Sequence, residues 1–244
     1  VLYRTNAQSR VLEEEFLRAG IPYKLVGGTR FYERKEIKDM LSYLRLIANP
    51  KDKVAYKRVV NTPPRGIGPA QLKVGGPKVQ EFEELLGELR LKSAGLKTLD
   101  ILDLVNALSG YQKWLDDGTA EAAGRVENVK ELRSVATEFP ELGSFLENVA
   151  LVEAEYMPDS GVKEPGNAVT LMTMHSAKGL ELPIVFMDGL EEGLFPHSRS
   201  LMGAVEMEVE RRLAYGGNTW APMKARRATR LNSCHTMNSD ACFS

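Results

Sequence analysis

The sequence predicts an α/β fold in which a parallel sheet with covering helices is interrupted by an all-helical insertion. Three observations predict it. Residues 1–60 alternate strand and helix patterns, residues 69–158 contain no convincing pair of strands, and strand patterns resume at Val169 and Pro183. The predicted parts are a first sheet segment at 1–62, a helical insertion at 63–167, a second sheet segment at 168–221 and an aberrant, disordered tail at 222–244.

The first sheet segment opens with two short strand patterns separated by a helix. Val1 to Tyr3 form the first strand and Ile21 to Val26 form the second. The helix between them, from about Ala7 to Ala19, carries Leu12 and Phe16 on one face. A strand, a helix and a second strand in this order favour parallel pairing.

The clearest helix pattern in the chain follows the second strand. Its apolar residues fit a period of about 3.6 residues, and they are Ile37, Met40, Leu41, Leu44, Ile47 and Ala48. Asn49-Pro50 ends the helix, because the residue before a proline disfavours helical geometry. Asp52 is then suited to cap the next short helix.

The helical insertion begins at a proline- and glycine-rich turn. T-P-P-R-G-I-G at residues 62–68 cannot continue a helix. Helix patterns follow, most clearly at 126–136 and 141–155. Tyr111 and Trp114 occupy positions that are typical of a helix core, and we expect both to be buried.

The second sheet segment contains the stretch with the strongest chemical character. Val169 to Met174 alternates apolar residues with Thr, and Pro183 to Asp188 is a near-continuous apolar run. The run predicts an adjacent strand in a sheet that is covered on both faces. Ligands bind at the carboxyl ends of parallel strands, so His175, Lys178 and Glu181 are candidates for a site.

Composition sets the class of protein. The 244 residues are 43% apolar and 27% charged with a net charge of −1, so a nucleic-acid partner would need a local basic patch. Cys234, His235 and Cys242 lack zinc-ligand spacing, and we expect no metal and no disulfide framework. Neither a membrane span nor a signal peptide is evident, which favours a reduced, cytoplasmic setting. Val1 opens directly on a strand, so we expect a piece of a longer protein.

Four segments resemble one protein family. T-M-H-S-A-K-G-L-E at residues 173–181 closely resembles motif V of the UvrD/PcrA/Rep group of superfamily 1 DNA helicases. The flanking E-E-G-L-F-P-H at 191–197 also looks like that family, as do V-L-Y-R-T-N-A-Q-S-R at 1–10 and R-V-V-N-T-P-P-R-G-I-G at 58–68. The resemblance implies that the sheet is a RecA-like 2A domain and that the helical insertion is a 2B subdomain. It is weakest at 71–99 and after Tyr215.

The resemblance implies nucleotide contacts in the motif V loop. Glu181 would hydrogen-bond the ribose, a task that suits a carboxylate because it accepts from two hydroxyls. Lys178 would neutralise phosphate, and Gly179 would permit a tight turn. Thr173 and His175 would lie where the DNA groove meets the γ-phosphate side of the nucleotide. The alternative for each is an ordinary loop residue, solvated or satisfied within the fold.

The resemblance also implies contacts with DNA. Residues 61 and 197 would line the single-stranded DNA channel, and the G-I-G turn with its neighbouring arginine would meet duplex DNA. The DNA-binding candidates, with Thr173 and His175, are Asn61, Thr62, Arg65, Gly66, Gly68 and His197. The alternatives are a helix end, an exposed loop and a bare turn. For Arg4 and Arg10 we expect structural or interdomain salt bridges.

Other family features are altered or missing in this sequence. Glu206 to Tyr215 resembles the start of motif VI, but Trp220 stands at the position of the arginine finger. The strand pattern that should close the sheet is missing between Pro222 and Ser244. There is no G-x-x-x-x-G-K-[ST] phosphate loop and no D-E pair to hold Mg²⁺, so the chain contains no complete catalytic set.

The expected function is the C-terminal half of an ATP-dependent 3′→5′ DNA helicase, incomplete as an ATPase by itself. It would supply one wall of an ATP–Mg²⁺ cleft and part of a single-stranded DNA track. Its partners would be the other helicase half and a single/double-strand junction. The alternative is a non-catalytic nucleic-acid-binding or interaction module. The pathway (repair, plasmid replication or restart) stays open.

Overall fold

The computed structural model describes residues 1–155, 168–180, 182–190, 195, 205, 207–212 and 224–228. The chain divides into two compact units, one formed by Val1–Thr29 with Lys163–Ser244 and the other by Arg30–Val162. None of the helices in the described ranges combines the length and the apolar character that crossing a membrane requires.

The first unit is built on a five-stranded sheet. Its strands are β1 Leu2–Tyr3, β2 Tyr23–Val26, β3 Val169–Thr173, β4 Ile184–Asp188 and β5 Lys224–Ala228, in the order β2-β3-β1-β4-β5. Every pairing is parallel, so all five carboxyl ends lie at one edge. The predicted parallel sheet is confirmed.

The central strand of the sheet is β1. Leu2 is in register with Met172 of β3 on one side and with Met187 of β4 on the other. The prediction that β3 and β4 are adjacent is therefore wrong, because β1 lies between them. A strand of two residues gives little sequence pattern, but its backbone still joins two longer neighbours.

The strand β4 is buried on one face only. Val185 and Met187 are each 1% exposed, whereas Ile184 is 56% and Phe186 is 44% exposed. The buried pair belongs to the main core cluster of this unit, which also contains Leu2, Met172, Met174, Ala177 and Phe195. The expectation of a sheet covered on both faces is wrong at this strand. An unbroken apolar run does not distinguish two covered faces from one covered and one exposed face.

The sheet has a closing strand that the sequence pattern did not predict. Residues 224–228 pair along their whole length with β4, from Ile184–Lys224 to Asp188–Ala228. The segment reads K-A-R-R-A, which has no apolar alternation. It forms the edge of the sheet, and edge strands tolerate charged residues because only one neighbour pairs with their backbone. The expectation that the tail lacks the closing strand is wrong.

The helix α1, Ser9–Arg18, connects β1 to β2 and buries polar residues. Ser9, Arg10 and Glu13 are at most 6% exposed, and the Ser9 hydroxyl donates to Glu13 at 2.7 Å. Leu12 and Phe16, the predicted apolar face, are only half-buried. The Phe16 ring lies 6.0 Å from the ring of Tyr23 in β2 and packs the helix against that strand.

The second unit is helical throughout its described residues apart from turns. Its helices are α2 Lys35–Ala48, α3 Lys53–Val59, α4 Pro69–Val74, α5 Pro77–Ser93, α6 Thr98–Ser109, α7 Tyr111–Leu115, α8 Ala120–Glu138 and α9 Leu142–Glu155. The central helix is α2, which contacts α3, α5, α6, α8 and α9. Because neighbours surround this helix, it also buries residues outside the predicted apolar stripe, namely Ser42, Tyr43 and Leu46. At its C-terminal end, Ile47 and Ala48 belong to the predicted stripe but are not buried.

The boundary between the compact units differs from the predicted domain boundary. The sequence predicts that residues 30–62 belong to the sheet segment, whereas in the structure they pack with the helical unit. The reason is that α2 forms the centre of that unit, which its own amphipathic pattern cannot reveal. Of the two aromatic residues predicted as core, Tyr111 is buried, but Trp114 is 38% exposed.

Candidate functional site

The loops at the carboxyl edge of the sheet form the first candidate surface. The segments after β1, β2, β3 and β4 are residues 4–6, 27–28, 174–180 and 189–190. They approach one another closely. A β-carbon on Gly27 would lie 2.9 Å from the hydroxyl of Ser176 in the loop after β3. The edge is therefore an assembled surface of the kind at which α/β proteins bind ligands.

The loop after β3 is held by its own hydrogen bonds. The Thr173 hydroxyl accepts from the Ser176 N–H at 3.1 Å and lies 2.9 Å from the Ser176 hydroxyl. The Ala177 N–H donates to the Thr173 carbonyl, and Ala177 is fully buried. Gly179 has φ +86°, which confirms its predicted turn geometry.

This anchoring presents two predicted site residues to solvent. His175 and Lys178 are exposed on either side of the buried Ala177. Partial burial of the imidazole lowers the pKa of His175 below its ordinary 6.5, and the positive charges of Arg4 and Lys178 lower it further, while Glu210 opposes them. The ring is therefore neutral at pH 7 and offers one donor and one acceptor.

The structure identifies the partner in the ion pair of Arg4, which sequence reasoning did not name. The Arg4 guanidinium donates to both carboxylate oxygens of Glu210 from Nε at 3.0 Å and to one of them from Nη2 at 2.6 Å. Glu210 is 3% exposed and Arg4 is 19% exposed. The pair ties the helical residues 207–212 to the end of β1. It bears out the expectation of a salt bridge for Arg4, and Arg10 pairs with Glu14 in its own helix.

Gln8 is a second residue that was missed. Its side-chain oxygen accepts from the N–H groups of Arg4 and Thr5, both at 2.9 Å. Its amide group packs directly against Gly189 at the end of β4. Thr5 and Gln8 form a capping box, and the T-x-x-Q spacing is the sequence signal that could have identified it.

The second group of candidates lies in the helical unit, at the turn of residues 61–68. The Asn61 side-chain oxygen accepts from the N–H groups of Arg65 and Ile67, at 2.8 and 3.1 Å. Ile67 is 3% exposed and anchors the turn, whereas Gly66 between them is exposed with φ +73°. The Gly68 N–H donates to Gln71. Asn61 thus holds the turn in shape.

The guanidinium of Arg65 is occupied within the fold. Nη1 donates to the carbonyls of Val59, Val60 and Pro63 at 3.0 to 3.3 Å, and Nη2 donates to the Tyr43 hydroxyl at 2.9 Å. Burial raises the pKa of Tyr43, so its hydroxyl keeps its proton and donates to the carbonyl of Thr62 at 2.6 Å.

The guanidinium also lies 4.9 Å from the ring centre of Phe82. The Thr62 hydroxyl donates to the Arg58 carbonyl at 3.1 Å. The polar groups of Thr62 and Arg65 therefore stabilise the turn.

The structure brings the predicted residues together as two groups. Thr173, His175, Lys178 and Gly179 share the loop after β3, and the candidates at 61–68 share one turn in the other compact unit. Glu181, His197 and Trp220 lie outside the described residues, as do Cys234, His235 and Cys242.

Comparison with known proteins identifies the family. The profile of the UvrD-like helicase C-terminal domain matches residues 1–80 and 73–224. The chain is 42% identical to ATP-dependent DNA helicase PcrA of Bacillus subtilis (strain 168) over 91% of its own length and 35% of that protein. PcrA of Staphylococcus aureus (strain MRSA252) is also 42% identical, over 88% of this chain and 34% of the relative.

The chain thus spans about a third of the length of these curated relatives. The profile match covers both compact units, including the motif V loop and the turn at 61–68. This chain therefore belongs to the UvrD-like helicase C-terminal domain family.

Proposed function

We propose that this chain is the C-terminal part of an ATP-dependent 3′→5′ DNA helicase. The observation that carries the proposal is the loop after β3, whose exposed His175 and Lys178 stand at the carboxyl edge of a parallel sheet above the buried Met174 and Ala177. Two relatives that share 42% identity with the chain are named ATP-dependent DNA helicase PcrA.

In this proposal the carboxyl edge forms one wall of an ATP cleft. Glu181 binds the ribose, Lys178 faces phosphate and Gly179 allows the turn between them. His175, with Thr173 at the base of its loop, couples the state of the nucleotide to the grip on DNA. A neutral imidazole suits this role, because it can donate to one oxygen while accepting from another group.

The other wall of the cleft and the Mg²⁺ site would belong to a partner RecA-like domain. Among the described residues, no cluster of three or more His, Cys, Asp or Glu side chains is placed to hold a metal ion. We expect this chain to hydrolyse no ATP by itself.

The helical insertion at 63–167 would be the 2B subdomain of the helicase and would contact DNA. The turn at 66–68, with the neighbouring Arg65, would meet the duplex near a single/double-strand junction, and Asn61 and His197 would contact the single strand. Asn61, Thr62, Arg65 and Gly68 act mainly by shaping the turn, because their polar groups are occupied within it. Gly66 is the exposed member of the group.

The experiment combines the 244-residue chain with the part of Bacillus subtilis PcrA that it does not cover, and measures ATP hydrolysis with and without single-stranded DNA. We expect no turnover by this chain alone and DNA-stimulated turnover in the mixture above that of the PcrA part alone. If the chain binds DNA but the mixture hydrolyses ATP no faster than the PcrA part alone, the helicase proposal is contradicted.

The second candidate function is a non-catalytic nucleic-acid-binding module, which Trp220 at the position of the arginine finger favours. Such a module binds DNA and adds no hydrolysis to the PcrA part, so the same mixture discriminates the two. Sequencing the neighbouring genomic DNA gives a second discrimination. A phosphate loop upstream in the same frame, and an I-T-R-A string in a shifted frame near Trp220, support the motor.

A further inference from the structure

A lysine that no sequence motif singled out lies against the exposed turn of the helical unit. A β-carbon built on Gly66 would come within 2.6 Å of the Lys78 ammonium nitrogen. Lys78 is exposed and stands in the first turn of α5. The turn therefore presents a positive charge, which Lys78 supplies from another segment.

The packing of α5 fixes this placement. Phe82 is 1% exposed and lies under the Arg65 guanidinium, with its ring 5.5 Å from the ring of Tyr56. Lys78 precedes Phe82 by four residues, so both side chains project from the same face of the helix. With Phe82 packed below the turn, Lys78 reaches the surface beside Gly66.

The two cations at the turn, Arg65 and Lys78, have different roles. Arg65 uses its guanidinium on three carbonyls and the Tyr43 hydroxyl, so little of it remains for a ligand. Within the part of the chain that the structure describes, the Lys78 ammonium and the Gly66 N–H have no hydrogen-bond partner. An exposed ammonium beside an exposed backbone N–H suits a phosphodiester oxygen.

We propose that Lys78 contacts a backbone phosphate of duplex DNA at Gly66, and that Arg65 and Asn61 are positioning residues which hold the turn for this contact. The inference rests on the proposed DNA-binding function and deepens it. Glycine is favoured at position 66 because its φ is +73°. Duplex DNA is the expected ligand because it carries the denser phosphate charge.

The test measures binding of the 244-residue chain to fluorescein-labelled duplex and single-stranded DNA by anisotropy across a salt series. Lys78→Gln removes the charge, Lys78→Arg retains it, and Lys130→Gln removes an exposed charge from α8 as a matched control. Thermal melts establish that all variants fold.

We expect Lys78→Gln to weaken duplex binding and to reduce the slope of log affinity against log salt by about 0.9, the loss of one phosphate contact. Lys78→Arg and Lys130→Gln should keep the wild-type slope. If the wild-type chain binds DNA but Lys78→Gln and Lys130→Gln have equal slopes, the Lys78 contact is contradicted and the proposed function is not. Failure of the wild-type chain to bind any DNA overturns it together with the proposed function.

Discussion

Arg4 and Glu210 form a bidentate ion pair between residues that are 206 positions apart in the sequence. The pair joins the end of the central strand β1 to the helical residues 207–212, and Arg4 contributes to the lowered pKa of His175. Three segments that resemble the family, at 1–10, 173–181 and 206–215, are thereby linked electrostatically at one edge of the sheet.

Replacing Arg4 with Met should destabilise the first unit. The change leaves the Glu210 carboxylate, which is 3% exposed, without its guanidinium. Removing one partner of such a pair costs about 2–4 kcal/mol in the free energy of unfolding. Urea unfolding followed by circular dichroism measures the cost. The control is Arg18→Met, because the Arg18–Glu15 pair is 74% and 54% exposed and should contribute under about 1 kcal/mol. Equal losses in the free energy of unfolding for Arg4→Met and Arg18→Met would contradict a stabilising role for the Arg4–Glu210 pair.

His175 should titrate below its ordinary pKa of 6.5. Below that pH the unfolded chain binds the proton more readily than the folded chain does. The stability that His175 contributes is therefore complete above pH 6.5 and is lost as pH falls towards the folded-state pKa. NMR titration of the imidazole, assigned with a His175→Gln variant, measures the midpoint.

Two further substitutions test the cause of that shift. Arg4→Met should raise the pKa of His175, because it removes a neighbouring positive charge. Glu210→Gln should lower it further, because the carboxylate opposes the shift. Shifts of the same sign in both variants, or none in either, contradict an electrostatic link between the pair and the imidazole.

Asn61 should act as a hydrogen-bond acceptor within the turn. Asn61→Ala removes the acceptor for the N–H groups of Arg65 and Ile67, so both amides should exchange with solvent faster. Asn61→Asp keeps an acceptor oxygen and should preserve their protection. Hydrogen exchange followed by NMR measures each amide. Unchanged exchange in the alanine variant would show that the turn does not depend on this side chain.

Arg65→Lys should not be a conservative change. A lysine cannot reproduce the fork that donates to the three carbonyls and the Tyr43 hydroxyl. We expect a loss of about 2–3 kcal/mol in the free energy of unfolding of the helical unit, from several partly buried hydrogen bonds. Arg125→Lys is the matched control, since the Arg125 side chain is 40% exposed and pairs with Glu121 on the same helix. Equal losses in the free energy of unfolding for Arg65→Lys and Arg125→Lys would contradict the structural role of Arg65.

The two faces of β4 should differ in their sensitivity to truncation. Met187→Ala removes core volume and should cost about 2–4 kcal/mol. Ile184→Ala affects a residue that is 56% exposed, and it should cost less than about 1 kcal/mol. Unfolding of the two variants under the same conditions provides the comparison. Equal costs would mean that both faces of the strand are covered.

Local sequence patterns predicted much of the secondary structure. The alternation at Val169–Met174 and the apolar run before Asp188 predicted β3 and β4, and both lie in one parallel sheet. Asp52 was expected to cap a helix, and its carboxylate accepts from the N–H groups of Val54 and Ala55. These features depend on neighbouring residues, so periodicity and spacing were sufficient.

Long-range features were not predictable in the same way. The placement of β1 between β3 and β4 depends on pairing between distant segments. The edge strand β5 lacks an apolar pattern because an edge does not require one. The occupied guanidinium of Arg65 and the position of Lys78 depend on the packing of Phe82 against the turn. A sequence motif indicates which residue types are present, but it does not show which of their polar groups are already used.

The most direct measurement of the central claim is photo-crosslinking with an ATP analogue that carries an aryl azide on its γ-phosphate, because His175 and Lys178 are proposed to face the phosphates. The 244-residue chain is irradiated with the nucleotide in the presence of the part of Bacillus subtilis PcrA that it does not cover, and labelled peptides are mapped by mass spectrometry. We expect labelling in the loop that contains His175 and Lys178, and we expect it only when the PcrA part is present. Labelling confined to other segments, or equal labelling without the PcrA part, would contradict a nucleotide wall at the carboxyl edge of this sheet.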